Sequence, residues 1–139
     1  MRTETATHTN PKSILLVEDD TDDQDFFAEA LSEVKNALLC DIANNGREAM
    51  EKLRSMAALP DLIFMDINMP VMNGIECLSA IMDRPQTRHI PVIMLSTDTG
   101  QMEFALRIGA KAFLKKPTDS QMLRSQLERI IDPQQNSIP

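Results

Sequence analysis

Short apolar runs alternate along the chain with longer segments in which apolar residues recur every three or four positions. The runs cover residues 13–17, 38–43, 62–66, 91–96 and 112–114. Each has the length of a strand, and a segment of helical periodicity follows each one. Five repetitions of strand then helix predict an α/β fold, in which helices cover both faces of a parallel sheet.

The boundaries of the predicted helices carry recognisable end signals. Thr21 with Gln24 fits a capping box at the start of the first helix, and Thr118 with Gln121 fits one at the start of the last. Gly109 is placed to end the fourth helix. These signals predict helices that begin and end close to the limits of the periodic segments.

The chain of 139 residues has the length of one domain. We expect a disordered N-terminal tail at residues 1–11, a domain at 12–131 and a flexible C-terminal tail at 132–139, because both ends are polar and lack periodicity. No apolar run approaches a membrane span, and the N-terminus lacks the apolar centre of a secretion signal. A cytoplasmic protein without a membrane partner is therefore expected.

The charge and the cysteines exclude several kinds of site. A formal charge of −7 argues against nucleic-acid binding, which needs a basic surface. Cys40 and Cys77 have no CxxC spacing, and His8 and His89 do not cluster with them. This pattern favours two reduced thiols and argues against a zinc site.

Polar residues stand at the carboxyl ends of four predicted strands: Glu18, Asp19 and Asp20 after the first, Asp66 at the end of the third, Ser96 at the end of the fourth, and Lys116 after the fifth. In open parallel sheets these ends meet at one edge, where ligands bind. Singly, each residue is typical of an acidic turn, a strand-end hydroxyl or a solvated lysine. Together they predict one site.

The predicted site has the chemistry of a magnesium-dependent phosphoryl acceptor. Carboxylates gathered in one place repel each other unless a cation lies among them, and Mg²⁺ prefers such oxygen ligands together with phosphate oxygens and water. The carboxylate of Asp66 could attack phosphorus and form an acyl phosphate. Lys116 and Ser96 could then bind the phosphoryl oxygens.

Four segments carry a family resemblance: ILLVEDD (14–20), DLIFMDINMPVMNG (61–74), IPVIMLST (90–97) and GAKAFLKKP (109–117). Over roughly residues 12–131 the chain resembles the receiver domain of two-component response regulators of the chemotaxis-regulator type. The resemblance implies a flavodoxin-like, doubly wound sheet of five parallel strands in the order 2-1-3-4-5, with five helices. The polar loop at 83–90 resembles, more weakly, the small regulators paired with bacterial phytochromes.

The resemblance also implies a metal site and its tuning positions. Asp66 matches the phosphoacceptor and a metal ligand, Asp20 the direct Mg²⁺ ligand, and Asp19 its partner through water. The backbone carbonyl of Asn68 matches the third protein ligand, and Mn²⁺ could replace Mg²⁺. Asn68 and Asp98 match positions that tune the removal of the phosphoryl group by water.

Three further residues match the switching parts of receivers. Ser96 matches the hydroxyl that moves towards the phosphoryl group, and Lys116 matches the family lysine, with a cis bond expected before Pro117. Phe113 matches the switch aromatic, although a core role alone would also explain it.

The function that the resemblance implies is a stand-alone response regulator, which is not an enzyme beyond its own phosphorylation and slow dephosphorylation. It would take the phosphoryl group from a histidine kinase or a phosphotransfer protein and signal by binding a downstream protein. A homodimer could form through the face of helix four, strand five and helix five, which includes Met102, Phe104, Leu106, Arg107, Lys111, Met122 and Arg124.

Three alternatives stay open at this point. The first is a receiver-like binding module that works without phosphorylation. The second is a phosphatase of the haloacid-dehalogenase type, which would need an acid where Asn68 stands. The third is a flavin-binding protein on the same fold, against which the acidic site and the lack of Trp and Tyr argue.

Overall fold

The computed structural model describes residues 11–132. Apart from Pro11 and Asp132, the predicted tails lie outside these residues. The elements follow in the order β1 (Lys12–Val17), α1 (Thr21–Ser32), β2 (Ala37–Ala43), α2 (Gly46–Ser55), β3 (Leu62–Met65), α3 (Gly74–Asp83), β4 (Val92–Ser96), α4 (Met102–Ile108), β5 (Ala112–Lys115) and α5 (Ser120–Ile131). A short 3₁₀ turn, Thr99–Gln101, precedes α4.

The five strands form one parallel sheet in the order β2-β1-β3-β4-β5. The predicted fold class, strand order and number of helices are confirmed. All four residues of β3 are buried, as expected of a central strand covered on both faces. None of the helices within the described range combines the length and apolar character that crossing a bilayer requires.

Successive residues of the central strands point to opposite faces of the sheet and so create two cores. On one face, Leu15 and Met65 pack with residues of α2, α3 and α4. On the other face, Leu16 and Phe64 pack with residues of α1 and α5, and the ring centroids of Phe27 and Phe64 lie 5.2 Å apart. Burial on both faces fixes the sheet, so the strand ends are held at one edge.

Two predicted helix caps are wrong by one residue. Asp20, rather than Thr21, caps α1 and accepts a hydrogen bond from the backbone N–H of Asp23. Asp119, rather than Thr118, caps α5. The carboxylates are better caps than the threonine hydroxyls here, because an ionised acceptor at a helix N-terminus also interacts favourably with the helix dipole. Gly109 ends α4 as predicted, with a φ of 132° that favours glycine.

Candidate functional site

Asp66 follows β3 directly and lies at the carboxyl edge of the sheet. Its backbone N–H donates to the carbonyl of Val17 at 3.0 Å, which ties it to the end of β1. One carboxylate oxygen accepts from the backbone N–H of Ile67 at 2.7 Å, and the other accepts from Nζ of Lys116 at 3.0 Å. The residue is 8% exposed. Its carboxylate is therefore held in a fixed orientation at the rim of the core.

The start of helix α3 packs against the backbone of Asp66. A Cβ atom on Gly74 would lie 2.0 Å from the carbonyl oxygen of Asp66, so no larger residue fits there. The N–H of Gly74 donates to the carbonyl of Ile67 at 2.7 Å. The Asn73–Gly74 pair of the sequence motif thus serves two purposes, because Asn73 also caps the helix in a capping box.

Lys116 joins three carboxylates at this edge. Its Nζ lies 2.8 Å from Glu18, 2.8 Å from Asp23 and 3.0 Å from Asp66. Its backbone N–H donates to the carbonyl of Ser96 at 3.1 Å, which anchors the residue beside β4. Burial disfavours the charged form, but the hydrogen bonds to Asp23, Glu18 and Asp66 outweigh it and raise the pKa of Lys116. The side chain is therefore a fixed positive charge.

Carboxylate oxygens of Glu18, Asp19 and Asp66 all lie within 4.8 Å of one another. Glu18 is 3% exposed. Burial, together with the charge of Asp66, outweighs Lys116 and raises the pKa of Glu18 from 4.5 to about 7. With Asp23 included, one ammonium group faces four carboxylates, an imbalance that a divalent cation with oxygen ligands would relieve. These donors fit Mg²⁺ or Mn²⁺.

The structure corrects the predicted acidic pair by one residue. Glu18 and Asp19 approach Asp66, whereas Asp20 is exposed and lies outside the group. The carboxylate of Asp20 accepts from the N–H of Asp23 at 3.0 Å as the cap of α1. The reason is geometric: the helix begins immediately after Asp20, which turns its side chain towards the helix.

Asn68, the predicted carbonyl ligand and tuning residue, is exposed in the loop between β3 and α3. It stands two residues after Asp66 in the chain. No N–H group of the described residues donates to its carbonyl oxygen. That oxygen therefore has no hydrogen-bond partner in residues 11–132, which leaves both of its lone pairs available to a metal ion.

Ser96 and Asp98 lie on the loop that leaves β4. Ser96 is fully buried, and its hydroxyl oxygen accepts from the backbone N–H of Asp98 at 3.1 Å. The side chain of Asp98 accepts from the N–H of Gly100 at 3.2 Å. In this conformation Asp98 caps the 3₁₀ turn, and its tuning role stays a prediction.

Phe113 is half-buried on β5, where it pairs with Met94 in the sheet register and packs against the core formed with α2, α3 and α4. Its position allows both the core role and the switch role. The bond between Lys116 and Pro117 is trans, so the expected cis bond is wrong. The two isomers of such a bond differ little in intrinsic energy, and local sequence does not decide between them.

The face of α4, β5 and α5 exposes several large apolar side chains. Phe104 is 46% exposed and Met122 55% exposed, and Met102 and Leu106 are exposed as well. Arg124, also predicted on this face, instead bonds to Glu33 of α1 at 2.9 Å. One residue of the site, Asp23, was missed in the sequence because it lies in the first turn of α1 and not at a strand end, whereas Glu18 was grouped with the strand-end acids but given no role of its own.

Comparison with known proteins shows the family to which the chain belongs. A family model described as the response regulator receiver domain matches residues 14–128. A hybrid signal transduction histidine kinase M of Dictyostelium discoideum is 36% identical over 124 residues, which is 85% of this chain and 5% of the kinase. The chain spans 30% or less of the length of the first curated relatives that it matches.

Two solved structures extend the likeness to the whole domain. A phosphorylated cyanobacterial phytochrome response regulator, RcpA, has a TM-score of 0.80 at 28% identity and covers 93% of this chain and 97% of its own. The Mn²⁺-bound response regulator Rcp1 has a TM-score of 0.75 at 26% identity and covers 88% and 96%. The resemblance drawn from the sequence motifs is confirmed.

Proposed function

The chain belongs to the response regulator receiver domain family of two-component signalling, and from this membership we propose that Asp66 accepts a phosphoryl group from a phosphohistidine of a partner kinase or phosphotransfer protein. The reaction requires Mg²⁺ or Mn²⁺, and the phosphorylated domain signals by binding another protein. The stand-alone arrangement stays a prediction.

One observation carries the proposal. Lys116 on the loop after β5 lies within hydrogen-bond distance of both Asp66 and Glu18, although the three residues are far apart in the chain. An ammonium group beside a carboxylate at a strand end provides the charge that a transferred phosphoryl group needs. Asp19, which completes the acidic group, would supply a further oxygen ligand for a metal ion.

The chemistry follows from the positions of the side chains. A carboxylate oxygen of Asp66 attacks phosphorus in line, the P–N bond of the phosphohistidine breaks, and its electron pair returns to the imidazole. A divalent cation bound by Glu18, Asp19, Asp66 and the Asn68 carbonyl would neutralise charge on the transferring oxygens. Lys116 stabilises the same oxygens, and the N–H of Ile67 keeps the carboxylate of Asp66 oriented.

Switching would pass through Ser96 to the face of α4, β5 and α5. To donate to a phosphoryl oxygen, the Ser96 hydroxyl must leave its contact with the N–H of Asp98. That shift moves the 3₁₀ turn before α4 and changes the space next to Phe113. Phosphorylation thus favours one of two arrangements of this face. Its exposed apolar residues, Phe104 and Met122 among them, are the contacts that we propose for a target or a second copy.

The phosphatase alternative is disfavoured by the residue two positions after Asp66. That position holds Asn68, an amide that cannot act as the general acid and base of rapid hydrolysis. The binding-module alternative does not explain why three acids and a lysine converge on one strand end.

The test is labelling of the metal-loaded protein with acetyl phosphate. We expect one phosphoryl group per chain by intact mass, and no label on Asp66→Asn. Asp25→Asn, an exposed acid of α1 away from the site, serves as the charge-matched control and should label like wild type. Equal labelling of Asp66→Asn and wild type would remove Asp66 from its role.

A further inference from the structure

We propose that Asp23 is a positioning residue that occupies, on Lys116, the hydrogen-bond position which a phosphoryl oxygen takes after transfer to Asp66. This inference rests on the proposed function. According to it, a residue in the first turn of α1 helps to set the affinity of the site for an anion.

The ammonium group of Lys116 has no spare proton. A lysine offers three N–H donors, and here they are used by Glu18 at 2.8 Å, Asp23 at 2.8 Å and Asp66 at 3.0 Å. An additional phosphoryl oxygen can therefore reach the ammonium group only if one of these carboxylates leaves.

Solvent exposure decides which carboxylate leaves. The side chain of Asp23 is 45% exposed, against 4% for Glu18 and 11% for Asp66. Glu18 also accepts from the backbone N–H of Asp20 at 3.1 Å. Releasing Asp23 exposes a carboxylate that water can solvate at once, whereas releasing Glu18 would leave a buried charge without its partner.

The surroundings of Asp23 allow this movement without disturbing the helix. Its backbone is held by the Asp20 cap, so only the side chain has to turn. Asp23 and Lys116 both line a cleft of about 390 Å³ between α1 and the loop after β5, which leaves room for the released carboxylate. The N-terminal turn of a helix also stabilises a negative charge.

Two opposite effects on binding follow. While bound, Asp23 neutralises part of the charge of Lys116, which favours a cation among Glu18, Asp19 and Asp66. The same contact competes with any anion that needs Lys116. Removing the charge of Asp23 should therefore weaken cation binding and strengthen anion binding at neighbouring positions.

The experiment compares Asp23→Asn with Asp22→Asn in the full chain. Asp22 is the adjacent acid of the same helical turn, is exposed, and makes no side-chain hydrogen bond within residues 11–132, so it is matched in charge and in helix position. Affinity for Mg²⁺ alone is measured by calorimetry, and affinity for beryllofluoride is measured at saturating Mg²⁺. Phosphorylation by acetyl phosphate is followed over a range of donor concentrations.

Relative to Asp22→Asn, we expect Asp23→Asn to bind Mg²⁺ about two- to fivefold more weakly and beryllofluoride about two- to fivefold more tightly, the size of effect that a half-exposed ion pair supports. The half-saturating concentration of acetyl phosphate should fall, with little change in the maximal rate. A loosened helix would instead weaken both ligands and lower the maximal rate.

Two results would overturn the inference: equal behaviour of the two variants, or weaker binding of both ligands by Asp23→Asn. In either case wild type would still bind beryllofluoride with Mg²⁺ and accept a phosphoryl group. If wild type itself does neither, the proposed function fails, and this failure is distinct from that of Asp23.

Discussion

The Nζ of Lys116 lies 2.8 Å from the carboxylate of Glu18, and the two residues are 98 positions apart in the chain. Both side chains are largely buried, at 16% and 4% exposure. This ion pair connects the loop after the last strand to the end of the first, across the sheet edge where Asp66 lies. The charge balance of the site therefore depends on the closure of the whole sheet.

Stability without metal should fall as pH rises through the range in which Glu18 loses its proton. The pKa of Glu18 is raised from 4.5 to about 7 in the folded protein, so between these values the folded state binds more protons than the unfolded state. The free energy of unfolding then decreases with rising pH, and the loss is complete about one pH unit above the folded pKa.

We expect the wild type to lose about 1–3 kcal/mol between about pH 5 and pH 8 through this group. Glu18→Gln should lack this part of the slope in urea titrations with chelator. Glu29→Gln, an exposed acid of α1, should keep the slope of wild type. Parallel pH profiles for Glu18→Gln and wild type would contradict the prediction.

Lys116→Ala should destabilise the metal-free protein at neutral pH by about 2–4 kcal/mol, because Glu18 and Asp66 are left buried without their counter-charge. Mg²⁺ should restore more stability to this variant than to wild type, since it replaces the missing charge. Urea unfolding with and without Mg²⁺ measures both effects. Lys115→Ala, the exposed neighbour, should behave as wild type, and equal losses for the two lysines would refute the ion-pair account.

Gly74→Ala should change the position of the Asp66 backbone, although the two residues are eight positions apart in the chain. The added Cβ would lie 2.0 Å from the Asp66 carbonyl oxygen, so the start of α3 must move, at a cost of about 1–3 kcal/mol. In Gly100→Ala the new Cβ meets only a side-chain oxygen at 3.3 Å, so that control should be nearly neutral. Urea unfolding and the amide resonances of Asp66 and Ile67 report the two effects, and unchanged resonances in Gly74→Ala would argue against close packing.

Phe104→Ser should weaken the association of the beryllofluoride-loaded protein with a partner or a second copy by about tenfold or more, as loss of a central aromatic contact does. Its stability should change little, because the side chain is 46% exposed. Leu38→Ser is the matched control: Leu38 is 54% exposed on β2, at the opposite edge of the sheet. Analytical ultracentrifugation measures association, and an equal effect of both variants would assign it to general surface hydrophobicity.

The fold was predictable from sequence because its pattern is redundant. The buried run of β3 indicates a strand, and the helical spacing of residues such as Leu123 and Leu127 indicates a helix. Five repetitions of strand then helix are typical of a parallel sheet that is covered by helices on both faces. The helix caps were less certain, since Asp20 and Thr21 are both good capping residues and differ by one position. Only the backbone geometry at the end of β1 selects Asp20.

The site was predicted in outline for the same reason, because Asp66, Ser96 and Lys116 follow recognisable strands. The acidic pair was displaced by one residue, since three consecutive acids offer two possible pairs and the local sequence does not show where the helix begins. Asp23 could not be found from strand ends, because it lies on a helix. Its contact with Lys116 depends on where folding places α1 relative to the loop after β5, which is a property of the tertiary structure.

The position of Lys116 on the last loop of the sheet also matters while the chain is being made. Glu18, Asp19, Asp23 and Asp66 all leave the ribosome before it does. During synthesis the growing polypeptide thus contains the four carboxylates of the site first, and the ammonium group of Lys116 is added only when synthesis of the domain is almost complete. Truncation ahead of β5 would leave these acids permanently without their ammonium partner.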